Sequence, residues 1–129
     1  MIRVVRAMAL LFAAMALAAC SMPGDAKVAE QEVPRFHQQL DAGKFADIYQ
    51  AAAVELKSVS SEMEFVEFLG VVHRKLGNTR SAEPQGWNVN STNSGTFVTL
   101  NYKTAYAEGE ATERFVYRVQ GNVAVLNAA

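Results

Sequence analysis

Cysteine occurs once in these 129 residues, at Cys20, so neither an intrachain disulfide nor a thiolate-rich metal site is available. Histidine occurs twice, at His37 and His73, and no His-x-Glu or His-x-x-x-His spacing accompanies either, which argues against a zinc centre. Charge of one sign is also lacking. Twelve basic against thirteen acidic residues give a formal net charge of −1, without the cationic excess that nucleic acid requires. No Gly-rich phosphate loop and no Gly-x-Ser-x-Gly elbow is present. The longest uncharged apolar run, Ala7 to Ala19, holds 13 residues. A membrane-crossing helix needs about 20.

That short run is nevertheless the most telling segment. Arg3 and Arg6 precede it, Leu17-Ala18-Ala19-Cys20 closes it, and Ser21-Met22-Pro23-Gly24 follows. A positive start, a short apolar stretch and small residues at the cut describe a secretory signal peptide. The four closing residues resemble the lipobox of bacterial lipoproteins. The resemblance implies a leader over 1–19, diacylglycerol on the Cys20 thiol, and fatty-acyl chains such as palmitate holding the mature chain to a membrane. Ser21, in place of aspartate after the cysteine, implies sorting to the periplasmic face of the outer membrane. Removing the leader takes Arg3 and Arg6 with it, leaving 110 residues and a net charge of −3. That length suits one domain.

Polar and small residues at 20–32 predict a tether, with a single domain over 33–129. The helical character could begin as early as Ala26. Ala29, Val33, Phe36 and Leu40 form an apolar stripe at helical spacing, interrupted by Pro34 and ended by Gly43. A second helix is expected over about Phe45–Ala53. A third begins at the Ser61/Glu64 capping box, carries Phe65, Phe68, Leu69, Val72 and Leu76 in one sector, and ends at Gly77. Beyond Gly77 the period changes to two. Strands are expected around Trp87–Ser91, over Thr96–Tyr106, through Phe115–Val119 and over Val123–Leu126, separated by short Gly-containing turns. Three helices followed by a curved four-stranded antiparallel meander is an α+β class of fold.

The stretch containing Lys75-Leu76-Gly77, Trp87, Gly95-Thr96-Phe97-Val98, Tyr102-Lys103-Thr104 and Glu113-Arg114-Phe115 resembles a family of small bacterial exported proteins. The likeness covers roughly residues 33 to 126. It implies a cystatin-like, nuclear-transport-factor-two-like cone, with helices in the concavity of a bent sheet. The family has no established activity, so it supplies no catalytic position. Its members finish with a longer last strand than Val123–Asn127 allows, which implies a shortened final strand and an opened end of the sheet.

Two groups of residues are candidates for function. Phe97, Thr99, Asn101 and Lys103 share one side of their strand, and Arg114, Val116 and Arg118 share one side of the next. If the two sides coincide, they make a partner-binding surface of Phe97, Asn101, Lys103, Arg114 and Arg118, since arginine suits desolvated contacts to acidic groups. The alternative is a small-molecule pocket between the third helix and the sheet, used by a carrier or an isomerase-like enzyme. It would draw on His73, Trp87, Tyr102 and Tyr117. His37 and His73 read most simply as boundary or satisfied core imidazoles. Glu62, Glu64 and Glu67 read as the start and the solvated side of the third helix. The Asn90-Ser91-Thr92 triplet reads as strand-end polarity. The expectation is a non-enzymatic lipoprotein without cofactor or metal, binding an envelope protein or component, or itself.

Overall fold

The computed structural model describes residues 22–129; the leader, the lipobox and Cys20 lie outside the described residues. Among the described residues five helices come first: α1 (Gly24–Glu30), α2 (Glu32–Asp41), α3 (Phe45–Ala51), α4 (Val54–Val59) and α5 (Glu62–Leu76). Four strands follow, β1 (Thr79–Thr92), β2 (Gly95–Tyr106), β3 (Gly109–Gln120) and β4 (Val123–Ala128). They form one antiparallel sheet in chain order, so the fold is α+β with helices packed on a meander.

The first difference from the sequence reading is α1, where a tether was expected to run to Glu32. Ala26 and Ala29 are wholly buried, and the helix contacts β2, β3 and β4. Two alanines three residues apart carry little apolar area, which is why the sequence allowed a helix from Ala26 without distinguishing it from a tether. Their small side chains let its backbone lie close to the sheet. Of the expected tether, only Met22 and Pro23 among the described residues precede the helix.

Gln31 keeps αR geometry between α1 and α2. Pro34 then falls in the first turn of α2, where its ring and missing N–H are tolerated. The helix ends at Gly43, whose φ of +73° is the left-handed conformation that glycine takes without strain. The Lys44 N–H donates to the Gln39 carbonyl at 2.9 Å and the Gly43 N–H to that of Leu40 at 3.1 Å, the paired bonds of a Schellman ending.

The single second helix expected over Phe45–Ala53 is two. Ala52 and Ala53 are extended, and the Ala53 N–H donates to the Leu126 carbonyl of β4 at 2.7 Å. That bond to the sheet edge breaks the helix. It lets α4 bury Leu56 beside Ala52 and Ala53. α5 follows its sequence signals: the Ser61 hydroxyl accepts from the Glu64 N–H at 3.2 Å, and Gly77 ends the helix.

β2 and β3 alternate cleanly. Val98, Leu100, Tyr102, Thr104 and Tyr106 of β2 are buried, as are Phe115, Tyr117 and Val119 of β3. The Phe36 ring of α2 meets Phe115 edge-on at 5.0 Å, at the centre of the core. β1 is much longer than the expected Trp87–Ser91 and is mostly exposed. As an edge strand it accommodates Pro84, with a register shift between Pro84 and Gly86. β4 is short and pairs only with Val116–Gln120. On that side Gly109–Phe115 of β3 meets no strand among the described residues.

If α1 is a core element, enlarging its buried face will destabilise the protein. Ala29→Leu is expected to cost about 1–3 kcal/mol, read by chemical denaturation. An unchanged midpoint would mean that the segment behaves as a tether.

Candidate functional site

The most concentrated polar chemistry lies inside the fold. Glu113 of β3 has the same side-chain parity as Phe115 and Tyr117, so its carboxylate points toward the helices. There Oε1 accepts from His37 Nε2 of α2 at 2.8 Å and from the Thr104 hydroxyl of β2. Oε2 accepts from the Tyr106 hydroxyl, also of β2. His37 is 5% exposed and Thr104 is wholly buried. The imidazole is enclosed by the edges of Phe36, Tyr106 and Phe115, with ring centroids 5.7–6.3 Å away.

Two opposing effects act on this carboxyl. Burial, the largest single influence, pushes its pKa up. The hydrogen bonds from His37, Thr104 and Tyr106, with the charge of His37, together outweigh burial and hold the pKa below its ordinary value. A general base working near neutrality needs the opposite shift and a free lone pair facing its substrate. Glu113 is therefore an ionised anchor for three donors. It fastens α2 to β2 and β3. His37, expected as a boundary or satisfied core imidazole, is the latter. Nearby, Asp41 Oδ1 accepts from the Thr79 N–H at 2.9 Å and from the Thr79 hydroxyl at 3.0 Å, tying the end of α2 to the start of β1.

The second arrangement is the opposite face of the sheet. The β2/β3 register places Phe97 opposite Arg118, Thr99 opposite Val116, Asn101 opposite Arg114 and Lys103 opposite Thr112. The two strand sides do coincide. Lys103 and Arg114 are exposed, and Phe97, Asn101 and Arg118 are half-buried. Two of the three cations have acidic partners of their own. Arg118 Nη1 lies 2.9 Å from Glu55 Oε1 of α4, and Lys103 Nζ lies 3.4 Å from Glu110 Oε1. Among the described residues Arg114 has no ion-pair partner.

The four residues of the pocket alternative line no common recess among the described residues, although Tyr102 and Tyr117 both pack against Phe115. Tyr102 is buried, and its hydroxyl pKa is pushed up to about 12 by burial and then by Glu30. It borders a surface recess beside His37 and Pro84. Tyr117, with its pKa also raised by burial, borders a different recess next to Glu32 and Val125. His73 packs edge-on to Phe45 at 6.0 Å, and among the described residues its Nδ1 has no hydrogen-bond partner. Trp87 stands 46% exposed on β1, because that strand runs past the helix layer. A cleft of about 310 Å³ does open between α5 and β3. It is lined by Phe68, Leu69, Val72 and Leu76 on one side and by Tyr106 and Glu113 at its base, without His73, Trp87, Tyr102 or Tyr117. Among the described residues no group of three His, Cys, Asp or Glu side chains is placed to hold a metal ion.

Sequence reasoning passed over Glu113, Thr104 and Tyr106 as a set. The signal was present: Thr104 is two residues after Tyr102, and Glu113 is two before Phe115. Alternation alone puts both polar groups inside, where they require partners. Comparison with protein-family models and with curated protein sequences gave no match.

The lowered pKa fixes the pH dependence of this anchor. A carboxyl held below its unfolded value contributes stability that is complete at neutral pH. The contribution declines once the pH drops below the ordinary 4.5 and is lost as the pH falls through the folded value. Glu113→Gln should cost about 3 kcal/mol at pH 7 and flatten the acid limb of a melting-temperature profile. A variant whose profile parallels the parent's would show that Glu113 does not carry that limb.

Proposed function

We propose that this chain is a lipid-anchored, non-enzymatic binding module. It acts at the periplasmic face of the outer membrane, in the cystatin-like fold of small bacterial exported proteins. The observation that carries the reading is the β2/β3 register, which gathers Phe97, Asn101, Lys103, Arg114 and Arg118 on one sheet face. The character of Glu113 agrees with it, because this inward-facing carboxylate is committed to structural donors.

Membrane attachment in this reading rests on Cys20. Each buried methylene contributes about 0.8 kcal/mol; one chain holds marginally, and two or more hold firmly. Among the described residues no helix is long and apolar enough to cross a membrane. The anchor would hold the domain close to the bilayer, since the helical fold begins at Gly24, four residues after Cys20.

The partner suited to the sheet face is an acidic protein surface. Among the described residues Arg114, opposite Asn101, is the cation of this face without an acidic partner, and Phe97, opposite Arg118, offers an apolar contact.

Two outcomes are expected. Cys20→Ser should leave the leader uncut and release the chain from lipid-dependent membrane fractionation; normal processing would refute the anchor. A photo-activated cross-linker at Asn101 should give a discrete protein adduct in intact cells, and Phe97→Glu should remove it without lowering the melting temperature. No adduct, or one indifferent to Phe97→Glu, would eliminate this face.

A further inference from the structure

We infer that two copies of the chain pair through the Gly109–Phe115 edge of β3, antiparallel about a twofold axis at Thr112, joining two four-stranded sheets into one of eight. This goes beyond the partner-binding face, with which the edge shares Arg114.

The starting observation is an edge that no strand among the described residues covers. β4 pairs with β3 from Val116 to Gln120 and no further. The remaining segment, Gly109–Phe115, is well-formed strand, paired on its other side with β2 from Tyr106 to Leu100. Its outward N–H and C=O groups are a template for another strand. Folds commonly guard such edges with charge, and this one carries Glu110 and Arg114.

The order of those charges selects a second copy as the occupant. Thr112 is the midpoint of the free segment. A twofold axis there sets Glu110 opposite Arg114 of the second copy and Arg114 opposite its Glu110, on the same outer face. Opposite charges facing each other across an antiparallel pair are stabilising, and like charges are destabilising. Moving the axis to Glu110 or to Arg114 sets like charges face to face. The signs therefore block those two registers and favour the Thr112-centred one. On the inner face the same register brings Ala111 of one copy opposite Glu113 of the other. A methyl group is small enough to leave the donors of Glu113 undisturbed.

Apolar surface borders the same edge. The cleft between α5 and β3 runs alongside it, and Phe68 at its rim is 59% exposed. Val71, the next exposed apolar residue of α5, lies one turn further on. A second copy brings its own α5 to this side of the sheet, because antiparallel pairing about a twofold axis keeps both helix layers on one face.

The test uses the full chain in its membrane. Residues opposite each other at an antiparallel twofold axis have Cα atoms about 4.5–5.5 Å apart, within the range a disulfide spans. Thr112→Cys is therefore expected to give a disulfide-linked species of twice the chain mass under mild oxidation. The parent, whose only cysteine is Cys20, serves as the blank. Adding Glu110→Lys sets lysine against Arg114 and should reduce the linked fraction at least tenfold. Adding Arg114→Glu to that variant reverses both signs and should restore it. Melting temperatures of the three variants separate lost pairing from lost folding. Absence of the linked species, or a yield indifferent to the charge series, would overturn the proposal. So would a cross-link to a chain of different mass, which would identify another occupant of the edge. None of these outcomes depends on the Asn101 adduct or its loss with Phe97→Glu.

Discussion

A carboxylate inside a protein core must have its donors, or the fold does not tolerate it. Glu113 is that group here, and much of the architecture follows from satisfying it. Three donors from two elements converge on its oxygens: His37 from α2, Thr104 and Tyr106 from β2. α2 cannot rotate or slide without withdrawing the imidazole, and β2 cannot slip by one residue without turning Thr104 and Tyr106 outward. Replacing such a cluster wholesale by apolar groups can be neutral. Removing one member is costly, because the others are left buried and unpaired. The cluster thus specifies the α2/sheet arrangement more than it adds net stability.

With that arrangement fixed, the two faces of the sheet differ sharply. The inner face is closed by Phe36, Leu40, Leu100 and Phe115, with the tyrosine hydroxyls made harder to ionise by burial. The outer face carries the half-exposed Phe97 and Asn101 and the exposed Arg114. Two of its cations are moderated by Glu55 and Glu110. A rigid, chemically committed interior and a mixed outer surface suit a module that presents a face. The short β4 adds a third region, an edge whose charges are self-complementary.

Strong periodicity made some elements readable from sequence and not others. α5 was plain because its apolar residues recur at helical spacing between Ser61 and Gly77. β2 and residues 115–119 of β3 were plain because alternation was uninterrupted there, and this carried the coincidence of their outer sides; residues 109–114 of β3, poor in large apolar side chains, were not expected as strand. That α1 is a core helix was hidden, although helical character from Ala26 was allowed, because its buried residues are alanines. The division between α3 and α4 was hidden because it is made by a tertiary hydrogen bond, Ala53 to Leu126, that no local pattern encodes. β1 was underestimated because an exposed edge strand lacks an apolar period. The four residues of the pocket alternative share no recess among the described residues, for a related reason. His73, Trp87, Tyr102 and Tyr117 were grouped by residue type, whereas Tyr102 and Tyr117 are buried against Phe115, His73 packs on Phe45 and Trp87 is exposed on β1. The Glu113 cluster was within reach, had polar residues at inward parity been treated as demands for partners.

The central claim is that Glu113 and His37 act as one structural unit. A double-mutant cycle between Glu113→Gln and His37→Ala, read by denaturant unfolding at pH 7, measures this directly. The account predicts a coupling of about 1–3 kcal/mol, the second substitution costing far less once the first is made. Additivity within about 0.5 kcal/mol would contradict it.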